Sequence, residues 1–286
     1  MSACRFKETD MEMFKAKRVF ITGGSSGIGE AMAIRLASYG AHVWIAARGK
    51  EKLEAALGRI QGAAGESSQR FGMSTLDVSN KADVERVAQE VIEGLGGIDI
   101  VVNNAGIAHP ATVMETPDDI FTSMMDVNYF GTVHVTRAFL PALRAQKSGH
   151  ICNVSSMLGF MGIYGYTAYA ASKHAVVGFS DCLRQELIGD NIGLPVVFPP
   201  DTDTPQLAAE NRIKPPETKA IAGEVKMMSA DEVAMCCLRG IIQDRYLVVP
   251  GAMGTFTHFM YRHVPSVVRW VIDGELKKYR KNNAPA

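Results

Sequence analysis

A β-rich apolar run over 18–22 passes straight into Thr22-Gly23-Gly24-Ser25-Ser26-Gly27-Ile28-Gly29, and a helical pattern over about 27–38 opens at once. This junction constrains the fold more than any other stretch. Glycines at 23, 27 and 29 permit a tight turn, close approach of an anionic group and close packing of helix on strand. The unpaired N–H groups at the helix start face that anion. Gly-rich turns are common, so the information lies in the context of strand before, helix after.

The same alternation continues along the chain. Strands are expected at 42–47, 71–76, 98–103, 150–155, 194–199 and 246–249, with helices at 50–64, 81–94, 117–127, 129–146, 167–188 and 229–242. That order predicts an α/β fold: one domain with a doubly wound, parallel seven-stranded sheet covered by helices on both faces. At 286 residues the chain is long enough for one such domain. Residues 1–16 read as an N-terminal extension and 17–250 as the catalytic domain. Within it, 201–226 is too long for a plain connection and reads as a substrate lid. Residues 251–286 form a C-terminal extension.

Thirty basic and thirty acidic residues give a net charge of +0. No global field therefore attracts nucleic acid, and no nucleic-acid partner is expected. Five cysteines (Cys4, Cys152, Cys182, Cys236, Cys237) form neither a CxxC pair nor a Cys/His ligand spacing. No metal site is expected, and a reducing, cytoplasmic setting fits. No signal-peptide pattern or run of about 18 uncharged apolar residues occurs.

The dinucleotide such a turn would hold is decided at the end of the second strand, where a carboxylate would bind a ribose diol. Here the strand ends Ala46-Ala47-Arg48. An arginine without a neighbouring carboxylate suits a 2′-phosphate, so NADPH is expected over NADH. Ser26 could add a hydroxyl to that phosphate; the plain alternative is that Arg48 is a solvated strand exit. Asp77 follows the third strand and reads either as an acceptor for an adenine amine or as a helix N-cap, with Ser79 competing for the cap.

Tyr169-Ala170-Ala171-Ser172-Lys173 places Tyr169 and Lys173 four apart on one helix face. A neighbouring ammonium favours the phenolate, so Lys173 is expected to lower the Tyr169 pKa. Ser155 and Ser156 end the fifth strand, and Asn128 lies at a junction of two expected helices. Asn103-Asn104-Ala105-Gly106 follows the fourth strand. In this order the motifs TGGSSGIG, NNAG, the lone Asn128, the serine pair and YAASK resemble the classical short-chain dehydrogenase/reductase family over about 17–249.

That resemblance implies a Rossmann fold and ketone reduction. It makes Ser156, Tyr169 and Lys173 a catalytic triad, with Asn128 as fourth member of a proton relay through a held water. Ser156, not Ser155, stands thirteen residues before Tyr169, as in the family. The cofactor contacts it implies are Gly23, Ser25, Ser26, Gly27, Ile28, Gly29, Arg48, Asp77, Asn104, Ala105, Gly106, Tyr169, Lys173 and Thr204. Lys173 would bind the nicotinamide ribose, and Thr204 the carboxamide.

Within the family, Pro199-Pro200-Asp201-Thr202-Asp203-Thr204-Pro205, the Glu210-Asn211-Arg212 to Glu217-Thr218 stretch and Gly165-Tyr166-Thr167-Ala168-Tyr169 are similar to the branch that reduces 3-ketodihydrosphingosine. The substrate expected on that resemblance is a long-chain 2-amino ketone, whose ammonium would pair with Asp201 or Asp203. The local alternative makes Thr204 and Pro205 a helix start. Reductases of 3-oxoacyl thioesters, steroids or retinoids would carry the same triad, and a non-catalytic NADPH-binding regulator is the reading from another class. The family also implies pairing into dimers or tetramers. The tail, apolar and aromatic from 246 to 272 and basic beyond, suits either an interfacial amphipathic helix in peripheral membrane contact or a cover over the substrate pocket.

Overall fold

The computed structural model describes residues 8–222 and 227–283. A short 3₁₀ turn (Glu8–Phe14) leads into β1 (Arg18–Thr22), α1 (Gly27–Ser38), β2 (His42–Ala47), α2 (Lys50–Gly62), β3 (Phe71–Thr75), α3 (Lys81–Leu95) and β4 (Ile100–Asn103). The second half runs α4 (Asp118–Met124), α5 (Gly131–Gln146), β5 (Gly149–Val154), α6 (Thr167–Glu186), β6 (Ile192–Gly193) and β7 (Val196–Val197). It continues through β8 (Thr202–Asp203), α7 (Pro205–Ile213), α8 (Pro216–Ala222), β9 (Met228–Ser229), α9 (Ala230–Ile242), β10 (Leu247–Val248), α10 (Ala252–His263) and α11 (Pro265–Asn282).

The main sheet is parallel throughout, in the order β3-β2-β1-β4-β5-β7-β10, with β6 beside the start of β5. β6 and β7 share one lane, so the sheet has the expected seven. Both faces are covered, and alternate residues of β1 serve different cores. Val19 and Ile21 pack with Leu36 of α1, Leu53 of α2 and Leu238 of α9, whereas Phe20 packs with Val87 of α3 and Phe139 of α5. Because β1 pairs with both β2 and β4, the strand order reverses there. A crevice opens beyond the carboxyl ends of those strands, where the glycine turn lies.

Two elements differ from the sequence expectation. The sixth strand, expected at 194–199, begins earlier and is split, because Pro195 has no N–H to offer the ladder. The two expected central helices are one continuous rod, α4 and α5 joined by a π-helical turn at Met125–Phe130. That turn carries Asn128 into the interior. The rod also packs closely at Gly131, where a Cβ would lie 2.6 Å from Val78 Cγ2.

The stretch expected as a lid folds into α7 and α8, hinged on a two-residue parallel pairing of β8 with β9; its residues 223–226 lie outside the described residues. Ser229 and Glu232 close a reciprocal capping box at the start of α9. Beyond β10, α10 and α11 fold back over the lid. His258 and Tyr261 of α10 meet Phe160, with ring centroids 4.9 and 6.0 Å apart, and α11 packs on α8. The tail therefore does cover the pocket, yet its outer side leaves Phe256, Phe259, Val267, Trp270 and Val271 exposed.

Candidate active site

One cleft of about 880 Å³ runs from the glycine turn past Ser156, Tyr169 and Lys173 to the lid and α11. Its first half is a backbone cradle. Gly23 and Gly27 hold φ of +66° and +59°, and a Cβ on Gly29 would stand 2.5 Å from both Asn104 Nδ2 and the Gly23 carbonyl oxygen. Asn104 Nδ2 donates to the carbonyls of Thr22 (3.0 Å) and Gly23 (3.2 Å). Thr22 Oγ1 accepts the N–H groups of Asn104 and Ala105, each at 3.1 Å. The turn after β1 and the loop after β4 are thereby locked together, which brings Ala105 and Gly106 beside the turn.

Ser26 occupies the N-cap position of α1 with extended backbone and does not spend its hydroxyl on the cap. With Ser25 and Ile28 it lines the cleft, as does Arg48 at the end of β2. Arg48 is exposed, and no ion pair joins it to a carboxylate among the described residues. The cradle a Cβ would fill, the free N-cap hydroxyl and the unpaired guanidinium fit a dinucleotide carrying a 2′-phosphate. Asp77 also lines the cleft, but neither it nor Ser79 is the N-cap of α3. Asp77 Oδ1 accepts from the Ser79 N–H and hydroxyl (3.0 and 2.7 Å), and Asn80 caps the helix through the Asp83 N–H.

At the centre of the cleft, Ser155 and Ser156 part company. Ser155 is buried and donates to the Lys173 carbonyl at 3.0 Å, whereas Ser156 lines the cleft with Tyr169, its hydroxyl oxygen accepting the Leu158 N–H at 3.1 Å and lowering the Tyr169 pKa. Lys173 is buried, its Nζ donates to the Val154 carbonyl at 2.9 Å, and burial lowers its pKa to about 8. Tyr169 does not show the expected depression. Burial first, and the negative charge of Glu210 next, push its pKa above the usual tyrosine range, opposed by the Ser156 hydrogen bond. Lys173 Nζ lies 5.8 Å from the centre of the Tyr169 ring and is itself desolvated, so the ammonium does not dominate.

Asn128 is a clamp. Its Oδ1 accepts from the Ile107 N–H (2.8 Å), and its Nδ2 donates to the Ile107 carbonyl (3.0 Å) and the Ser172 hydroxyl (2.9 Å). A Cβ on Gly106 would lie 3.1 Å from Asn128 Oδ1 and 3.4 Å from Lys173 Nζ, so these three residues converge. Thr204 starts a helix, accepting from the Leu207 N–H at 3.2 Å with Pro205 next, and its Cγ2 would stand 3.1 Å from a Cβ on Gly27. Thus the lid is anchored directly on the glycine turn.

The family model for short chain dehydrogenases matches residues 17–214. The chain belongs to the short-chain dehydrogenase family. As a short-chain dehydrogenase it is an oxidoreductase, and its curated relatives are narrower in kind. It is 37% identical over 229 residues to a 3-dehydrosphinganine reductase of Danio rerio, covering 80% of this chain and 69% of that one. To a 3-dehydrosphinganine reductase of Arabidopsis thaliana it is 39% identical over 237 residues, covering 82% and 70%. The crystal structure of levodione reductase superposes with a TM-score of 0.77 at 27% identity, covering 85% of this chain and 99% of that one.

Three cleft residues of this dehydrogenase carry no role in the sequence reading: Tyr166, Glu210 and Lys214. The Tyr166 hydroxyl donates to Glu210 Oε2 at 2.8 Å, and Lys214 Nζ stands 3.7 Å from Asp201 Oδ2. Of the two aspartates expected near a substrate ammonium, Asp201 lines the cleft but faces a cation of the protein itself, whereas Asp203 is not among the lining residues. The available signal was Gln206, Glu210 and Lys214 at helical spacing, which marks an inward face only once α7 is known to be a helix.

Proposed function

We propose that this enzyme reduces the 3-keto group of 3-ketodihydrosphingosine (3-dehydrosphinganine) with NADPH, giving the 3-hydroxy product. The observation that carries this reading is the single cleft in which the glycine cradle and Arg48 at one end meet Ser156, Tyr169 and Lys173 in the middle. Beyond Tyr169 lies a wall of Met157, Leu158, Met161, Ile163, Ile221 and Ile272. Such a wall suits a long alkyl chain, and the two 3-dehydrosphinganine reductases point to the same substrate.

In this mechanism the N–H groups of the glycine turn and Ser25, Ser26 and Arg48 would hold the phosphates of the dinucleotide. Asn104, Ala105, Gly106 and Thr204, which line the same cleft, would flank its nicotinamide end. NADPH, when bound, supplies the hydride. Ser156 and Tyr169 hydrogen-bond the ketone oxygen and stabilise the negative charge that grows on it. Burial keeps Tyr169 protonated at neutral pH, which is the state a proton donor to that oxygen needs. Lys173, whose pKa burial lowers to about 8, would bind the nicotinamide ribose and can return a proton toward Tyr169. Asn128 is engaged within the protein on every polar atom of its side chain, and its main-chain carbonyl accepts from the Thr132 hydroxyl at 2.9 Å, so its part in this reading is to hold the Ile107 and Ser172 groups in place beside Lys173.

No described helix is long and apolar enough to cross a membrane. The bare outer side of α10 and α11, with Arg262, Arg269, Lys277, Lys278, Arg280 and Lys281 beside it, supports peripheral contact with an anionic lipid surface. Pairing into a dimer or tetramer is part of the same reading. The test of the substrate is NADPH oxidation with 3-ketodihydrosphingosine beside a panel of 3-oxoacyl thioester, steroid and retinoid ketones. Turnover of the sphingoid ketone with the highest kcat/KM is expected; no turnover of it, with turnover of another ketone, overturns the assignment.

A further inference from the structure

The cleft contains a carboxylate that the mechanism above leaves idle. Glu210 borders it from α7, and neutral donors fix both its oxygens: Tyr166 Oη donates to Oε2 at 2.8 Å and Gln206 Nε2 to Oε1 at 3.0 Å. Tyr166 is itself buried. It precedes Tyr169 by three residues, with the two rings 5.8 Å apart, so Glu210 is held close to the reaction centre. The charges nearby are otherwise engaged. Lys214 faces Asp201, Lys173 donates to the Val154 carbonyl, and Glu210 forms no ion pair with a cation among the described residues. A carboxylate aimed by neutral donors, at a cleft wall and without a cation, is a receptor for one.

We propose that Glu210, oriented by Tyr166 and Gln206, is the specificity-determining residue that binds the ammonium group adjacent to the ketone. The proposal rests on the reading of the substrate as a long-chain 2-amino ketone. In such a molecule the ammonium is on the carbon bonded to the carbonyl, so an oxygen held by Tyr169 and Ser156 places the cation beside Tyr169. Glu210 also raises the pKa values of both Tyr169 and Lys173. A bound ammonium cancels that field, so the amino substrate eases release of the Tyr169 proton as well as binding.

The experiment compares kcat/KM for 3-ketodihydrosphingosine and for the same ketone lacking the amine, in the wild type, Glu210→Gln and Asp203→Asn, with NADPH binding followed by fluorescence. Glu210→Gln is expected to shrink the preference for the amino ketone by ~10-fold or more, mainly through KM, as loss of a charge-assisted bond requires. Asp203→Asn is expected to keep the preference. An unchanged preference in Glu210→Gln overturns the proposal. A second arm uses only the wild type: dihydrosphingosine should inhibit more tightly than the 1,3-diol lacking its amine, and equal inhibition also overturns the proposal. If the wild type reduces neither long-chain ketone, the substrate reading itself fails and takes the ammonium assignment with it. If it reduces the amino ketone and Glu210→Gln keeps its preference, only the role of Glu210 falls.

Discussion

The two ends of the cleft are built on different principles. The cofactor end is main chain pinned by short polar side chains: glycines with no room for a Cβ, a threonine hydroxyl taking two N–H groups, an asparagine amide donating to two carbonyls, and strands buried on both faces. The substrate end is side chains on α7, α8, α10 and α11, with a polar pair at Tyr166 and Glu210 and an outer side that leaves Trp270 75% exposed. A ligand common to a whole family can be met by fixed main-chain geometry. A ligand particular to one branch is met by side chains that can change without disturbing the sheet.

That contrast makes ordered predictions. Tyr169→Phe sits where the two ends meet and should remove turnover of every ketone, lowering kcat by ~10²–10⁴-fold with NADPH affinity retained in a fluorescence titration. Gly29→Ala puts a methyl group 2.5 Å from the Gly23 carbonyl and Asn104. NADPH binding measured by fluorescence titration should weaken by roughly 10–100-fold, for a strain of about 1–3 kcal/mol. If a Gly29→Ala enzyme binds NADPH normally, the rigid-cradle half of the comparison is wrong.

Arg48→Ala should narrow the preference for NADPH over NADH by about tenfold, seen as a change in the ratio of kcat/KM values, because only the 2′-phosphate loses its partner. At the outer side of the substrate end, Phe256→Ser with Trp270→Ser should reduce co-sedimentation with anionic liposomes by about three- to tenfold, while kcat on a short soluble ketone stays near wild type. Unchanged lipid binding would mean that this apolar side serves another purpose.

Much of the cofactor end and of the reaction centre could be read from the chain. The strand, turn and helix over 18–38 are set by residues adjacent in sequence, and Tyr169 and Lys173 share a face because four residues are about one helical turn. The pairing of Ser156 rather than Ser155 with Tyr169 also agrees with their spacing. The lid was less legible. Tyr166 and Glu210 are 44 residues apart and meet only because α7 folds back on α6. Asp201 looked free until Lys214, thirteen residues later, arrived beside it. The cap of α3 fell to Asn80 because Asp77 folds onto Ser79, a competition between neighbours that composition does not decide.

The sequence by itself determined the order of the sheet's elements, the glycine cradle and the set of reacting groups, since each depends on periodicity or on contacts within a few residues. The tertiary structure alone decided the electrostatic state of those groups. Whether Tyr169 lies above or below its ordinary pKa depends on burial and on Glu210, both products of the folded lid, because desolvation and Coulomb energy follow distance in space rather than along the chain.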